Sequence, residues 1–110
     1  SDFPVEPAEP LFGLHAAVTR TDRQGNPLGG WRPQEKLTRD QALSLFTENA
    51  AYSAHEENVI GKLLPGYAAD FVLLRDNYFE QPEQAIWSNQ VLTTVVAGQV
   101  VFAHEDSPLR

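Results

Sequence analysis

Apolar positions change their period near residue 58. Before it they recur every three or four residues; after it they gather in short β-branched runs. Leu11, Leu14, Ala17 and Val18 fall at helical spacing, and Pro10 suits a first helical position, where the missing amide is no loss. The pattern predicts a helix over residues 11–20. Residues 1–10 carry three prolines and read as extended loop. Residues 21–37 are polar and hold Gly25, Pro27, Gly29, Gly30 and Pro33, which predicts a long loop. Thr38 opens the clearest helix, because Thr38 and Gln41 can satisfy each other's orphan amides as a capping box. Ala42, Leu45, Phe46, Ala50 and Ala54 continue on one face, so this helix is expected to run to Ser53–His55.

Beyond residue 58, Val59–Leu64 is a short apolar stretch around Gly61, and Pro65-Gly66 marks a turn. Phe71 to Leu74 reads as a buried strand, and Gln81-Pro82-Glu83 as the start of one helical turn through Ile86. Val91–Val96 and Val100–Phe102 flank Ala97-Gly98-Gln99, a hairpin with Gly98 at positive φ. The expected class is α+β: a helical N-terminal half, then a small, mostly antiparallel sheet of three or four strands. Leu45, Phe46, Phe71, Leu73, Val95, Val100 and Phe102 are the expected core. His104 to Arg110 is polar and expected to fray.

Composition then removes whole classes. At 110 residues with 42% hydrophobic and 21% charged positions, the chain suits a folded domain but is too short for a complete (β/α)₈ barrel. A net charge of −7 argues against nucleic acid and against anionic membranes as partners. No apolar run approaches the ~18 residues of a membrane helix. Cysteine is absent, which excludes thiolate metal sites and disulfides. The first residues show no signal-peptide pattern, so the cytoplasm is the favoured compartment. Methionine is absent even at position 1, and Ser1 is therefore expected to be a cut end.

Candidate chemistry is sparse. His15, His55 and His104 lie far apart, with no HxH, HxxxH or HExxH spacing. His15 falls on an apolar helix face and reads as a satisfied core histidine; His55 and His104 read as exposed element ends. No GxSxG elbow and no phosphate-binding glycine loop is present. Trp31, between Gly30 and Arg32, reads first as a loop anchor with its indole on the core and second as a ligand platform. Asp2 by composition alone is a solvated terminal carboxylate.

An ordered series of motifs changes this picture. It runs Ser-Asp-Phe-Pro-Val-Glu, Ala-Ala-Val-Thr-Arg, Gly-Gly-Trp, Leu-Thr-Arg-Asp-Gln-Ala-Leu and Asn-Ala-Ala-Tyr. It closes with Ile-Gly-Lys-Leu-Leu-Pro-Gly-Tyr-Ala-Ala-Asp-Phe-Val-Leu-Leu and Val-Val-Ala-Gly-Gln-Val-Val-Phe. Together these resemble the C-terminal part of the metal-dependent amidohydrolases, in the branch that contains N-substituted formamide deformylases. The resemblance covers residues 1–103. It implies a parent enzyme with a metal-bearing (β/α)₈ barrel and a β-sandwich assembled from both chain ends. Asp2 would match the aspartate that ends the eighth barrel strand, touches the metal and takes a proton from the hydrolytic water. Residues 1–58 would be the end of the barrel, residues 59–103 the sandwich segment, and Asp70 a turn-fixing residue. The family's HxH pair and later histidines have no counterpart here.

The resemblance thus implies a parent that hydrolyses a C–N bond, amide or N-formyl, with a divalent metal, zinc being the expected one. This chain alone is expected to be inactive and metal-free, with the rest of the parent as its partner. Without that partner, the 11–18 helix and the sheet edges would lose their cover, so a homo-oligomer of the chain, or disorder over residues 1–37, is expected. The competing reading is a free-standing binding or regulatory module without catalysis.

Overall fold

The computed structural model describes residues 2–110. The class is α+β, as expected: three helices, α1 (Pro10–Thr19), α2 (Arg39–Phe46) and α3 (Glu48–Ser53), precede a three-stranded antiparallel sheet. Its strands are β1 (Phe71–Leu74), β2 (Val91–Val96) and β3 (Gln99–Ala103), in the order β1-β2-β3. Short 3₁₀ helices occupy Pro33–Glu35 and Glu83–Ser88. The chain forms two compact units. The first takes residues up to Phe46 plus Tyr78–Asn89; the second takes Thr47–Asn77 and Gln90–Arg110.

In the first unit, α1 starts with Pro10 after Glu9, whose carboxylate accepts from Leu11 N at 3.5 Å. It stops where Arg20 turns left-handed at φ +57° and donates its N–H to Ala16 O. Leu11, Leu14, His15, Val18 and Thr19 are buried, packed against the 3₁₀ helix Glu83–Ser88 and against α2. The helix expected to lack partners finds them inside this chain, because Glu83–Ser88 returns to the first unit and buries Ile86 completely. That side chain alone contributes about 2 kcal/mol of apolar burial. The capping box forms as read: Thr38 N donates to Gln41 Oε1 at 3.0 Å, and Gln41 N to Thr38 Oγ1 at 3.2 Å. The Arg39 guanidinium donates to the carbonyl of Tyr78, whose buried phenol donates back to Arg39 O at 3.1 Å.

The single helix expected from Thr38 to Ser53–His55 is instead two. Thr47 leaves the helical region, at φ −126° and ψ −92°. Ala42 is buried in the first unit and Ala51 in the second. Nine residues are about 2.5 turns, so one straight helix would aim these two alanines in opposite directions. Ala50 and Ala54, assigned to the buried face, are exposed.

In the second unit the strand periods are interrupted by two bulges. Leu73 pairs with Thr93 and Leu74 with Val91, leaving Leu92 extra; Thr94 pairs with Phe102 and Val95 with Val100, leaving Val101 extra. The first bulge explains why the neighbours Leu92 and Thr93 are both buried. The hairpin turn is Ala97-Gly98, both at positive φ (+50° and +77°). Of the expected core only Val95 is buried. Phe71 and Leu73 are half-buried, while Leu45 (48%), Phe46 (42%), Val100 (39%) and Phe102 (48%) are exposed. Three strands make one thin layer, and β3 has a neighbour on one side only. The tail expected to fray is anchored: buried Ser107 shares a hydrogen bond with Thr93 Oγ1 and donates its hydroxyl to Leu109 O at 2.6 Å.

Candidate functional site

Asp2 lies in an exposed turn closed by Val5 N donating to Asp2 O at 2.9 Å, with its own backbone at φ +52°. Among the described residues its carboxylate has no hydrogen-bond partner, and no group of three His, Cys, Asp or Glu residues could hold a metal ion. A catalytic divalent ion takes about three protein ligands.

The three histidines stay apart. His15 is buried, with Nδ1 3.3 Å from Glu83 O and Nε2 3.1 Å from Asp22 O, so it is the satisfied core histidine expected. It ties α1 to the loop after it and to the 3₁₀ helix Glu83–Ser88. His55 is exposed in a left-handed turn at φ +60°. The ring Nδ1 of His104 accepts from Asp106 N at 3.2 Å. Beside it, the Arg75 guanidinium donates to Asp106 at 2.5 Å and holds that carboxyl below its ordinary pKa, by hydrogen bonding first and charge second.

Asp70 sits at the hairpin. Its Oδ1 accepts from Ala97 N at 2.7 Å, while Gly98 N donates to Ala69 O at 3.0 Å. The segment entering β1 thus holds the turn between β2 and β3, as the turn-fixing reading of Asp70 requires.

Trp31 departs from its expected place. Its side chain is 57% exposed, not packed on the core, and the guanidiniums of Arg20 and Arg32 lie 5.0 and 4.8 Å from its ring centroid. Helix propensity and loop composition gave no sign of this pairing; the only local signal was Arg32 next to the indole. An open cavity of about 620 Å³ also lies in the first unit, lined by Glu9, Phe12, Gly13, Arg23 and Phe46 among others. Arg23 rests over Phe12 at 4.5 Å, and Phe12 meets Trp87 edge-on at 6.4 Å.

Comparison with known proteins gives these positions a context. The chain is similar to the putative amidohydrolase YtcJ of Bacillus subtilis (strain 168), with 32% identity over 93% of this chain and 19% of that protein. It is similar to the protein LONG AFTER FAR-RED 3 of Arabidopsis thaliana, with 33% identity over 93% of this chain and 17% of that protein. It is also similar to the N-substituted formamide deformylase of Arthrobacter pascens, with 28% identity over 97% of this chain and 19% of that protein. The chain thus spans less than a fifth of the length of these relatives. No solved structure matches it significantly. The sequence model of the amidohydrolase family matches residues 1–102, nearly the whole chain, and the chain belongs to that family.

Proposed function

We propose that these residues are the C-terminal segment of a metal-dependent hydrolase that cleaves a C–N bond of an amide or N-formyl substrate. The observation that carries this is the family match over residues 1–102 in a chain spanning less than a fifth of its relatives. The divalent metal, zinc in the first instance, belongs to the whole enzyme, where it would supply Lewis-acid chemistry. Asp2 is the one residue of this chain assigned to that centre, as a carboxylate beside the metal. Its exposed side chain is compatible with that duty. Residues 1–58 belong to the barrel end and residues 59–103 to the sandwich; the rest of the parent is the partner of both. The chain by itself is inactive.

The test is hydrolysis of N-formyl and amide substrates by the metal-loaded full-length protein. Asp2→Asn is expected to lower kcat by about 10²–10⁴-fold, the range for losing a positioned acid–base group. Turnover by Asp2→Asn at the unmodified rate overturns the assignment. Tight stoichiometric zinc binding by the 110-residue chain would contradict the claim that the metal ligands lie outside it.

A further inference from the structure

We propose that Arg20, Arg32 and Lys36, gathered around Gly30 and Trp31, form a binding site for a small dianionic oxyanion such as a phosphate monoester or a dicarboxylate. The loop that carries them is firmly held. Trp31 N donates to Arg20 O at 2.8 Å, Arg20 Nε returns a bond to Trp31 O at 3.1 Å, and Gly30 N donates to Pro27 O at 2.8 Å. Gly30 permits the gathering. A Cβ there would lie 2.9 Å from Lys36 Cε, 3.2 Å from Arg20 Cβ and 2.5 Å from Thr19 O, at a φ of +91°. Only glycine lets Arg20 and Lys36 close over that backbone beside the indole.

Among the described residues, Lys62 pairs with Glu48 and Arg75 with Asp106, and neither ion pair involves Arg20, Arg32 or Lys36. This holds although the chain has 15 carboxylates against 8 basic side chains. Two guanidiniums lean on one exposed ring instead. A ring under a guanidinium leaves edge donors available, the terminal nitrogens in Arg20 because its Nε is bonded to Trp31 O, and such donors can take two oxygens of one anion at once. The chain's net charge of −7 disfavours anions in general, so an anion held here is held by this cluster.

The site is independent of the hydrolase reading, since Asp2 takes no part in it. The test uses the full-length protein labelled with fluorotryptophan, with the Trp31 fluorine resonance assigned by Trp31→Phe. Inorganic phosphate and succinate are titrated separately at constant ionic strength, with chloride as the control. A saturable shift of Trp31 is expected with one or both, and which of them saturates tells phosphate from dicarboxylate. Arg32→Gln and Lys36→Gln, both exposed positions, are each expected to weaken binding about tenfold, the lower end for a charged hydrogen bond. An unmoved Trp87 resonance shows that these variants keep the fold. A shift that does not saturate, that chloride reproduces, or that both variants leave unchanged overturns the site.

Discussion

Ala97 carries a left-handed backbone. It stands at φ +50° in a two-residue turn where asparagine or glycine is the ordinary choice. Left-handed backbone costs a side-chain-bearing residue about 1–2 kcal/mol, and Asp70 offsets this by accepting the Ala97 amide at 2.7 Å. Asp70→Ala is expected to lower stability by about 1 kcal/mol, whereas Ala97→Asn should raise it by about 0.5 kcal/mol, both read by thermal unfolding. Asp106 provides a pH test at the same scale. Its carboxyl titrates below the ordinary range because Arg75 bonds and faces the charged form, with His104 adding a smaller charge effect. The pair therefore stabilises the fold above the unfolded carboxylate pKa, and the contribution fades as pH falls through the lower folded value. A carbon-detected NMR titration should show Asp106 moving back toward the ordinary carboxylate pKa in Arg75→Gln. Asp70 was legible in sequence as a turn residue, but its partner 27 positions away was not, because only strand pairing brings them together.

At the scale of elements, the glycines separate tight packing from loose. A Cβ on Gly61 would meet Ala51 Cβ at 2.8 Å and Glu48 Cα at 3.0 Å, with φ at +90°. Backbone and a short buried side chain cannot yield, so Gly61→Ala is expected to cost about 3 kcal/mol from strain and overpacking. A Cβ on Gly13 would approach Phe46 Cζ at 2.5 Å, but that is the tip of an exposed ring. A helical Gly→Ala change gains about 1 kcal/mol, so Gly13→Ala should stay within about 1 kcal/mol of the parent stability in denaturant unfolding. These outcomes follow from what faces each glycine, which local sequence does not show. The same limit applies to the break at Thr47. The apolar period across residues 38–54 is continuous, and neither proline nor glycine marks the boundary. The break coincides with the boundary between the two units, which falls between Phe46 and Thr47.

For the whole molecule, the sheet leaves apolar surface without cover. All of β3 is exposed, including Val101 at 61%. One side of β3 is an unpaired edge, the kind of strand that recruits another chain. The 110-residue chain alone is therefore expected to self-associate in sedimentation velocity, and Val101→Lys should shift it toward monomer. The sequence by itself determined the starts of α1 and α2, the capping box, the hairpin, the α+β class and the family, because these rest on neighbours within a few residues or on ordered motifs. Tertiary structure alone decided which apolar residues are buried. Phe46, Val100 and Phe102 look like core in any window, yet only covering neighbours remove a side chain from water, and these cover Ile86 and Ala42 in the first unit and Val95 in the second. It also decided that Trp31 faces solvent with two guanidiniums within 5.0 Å of its ring centroid, since charge clustering around a loop depends on where the chain turns back and not on its local pattern.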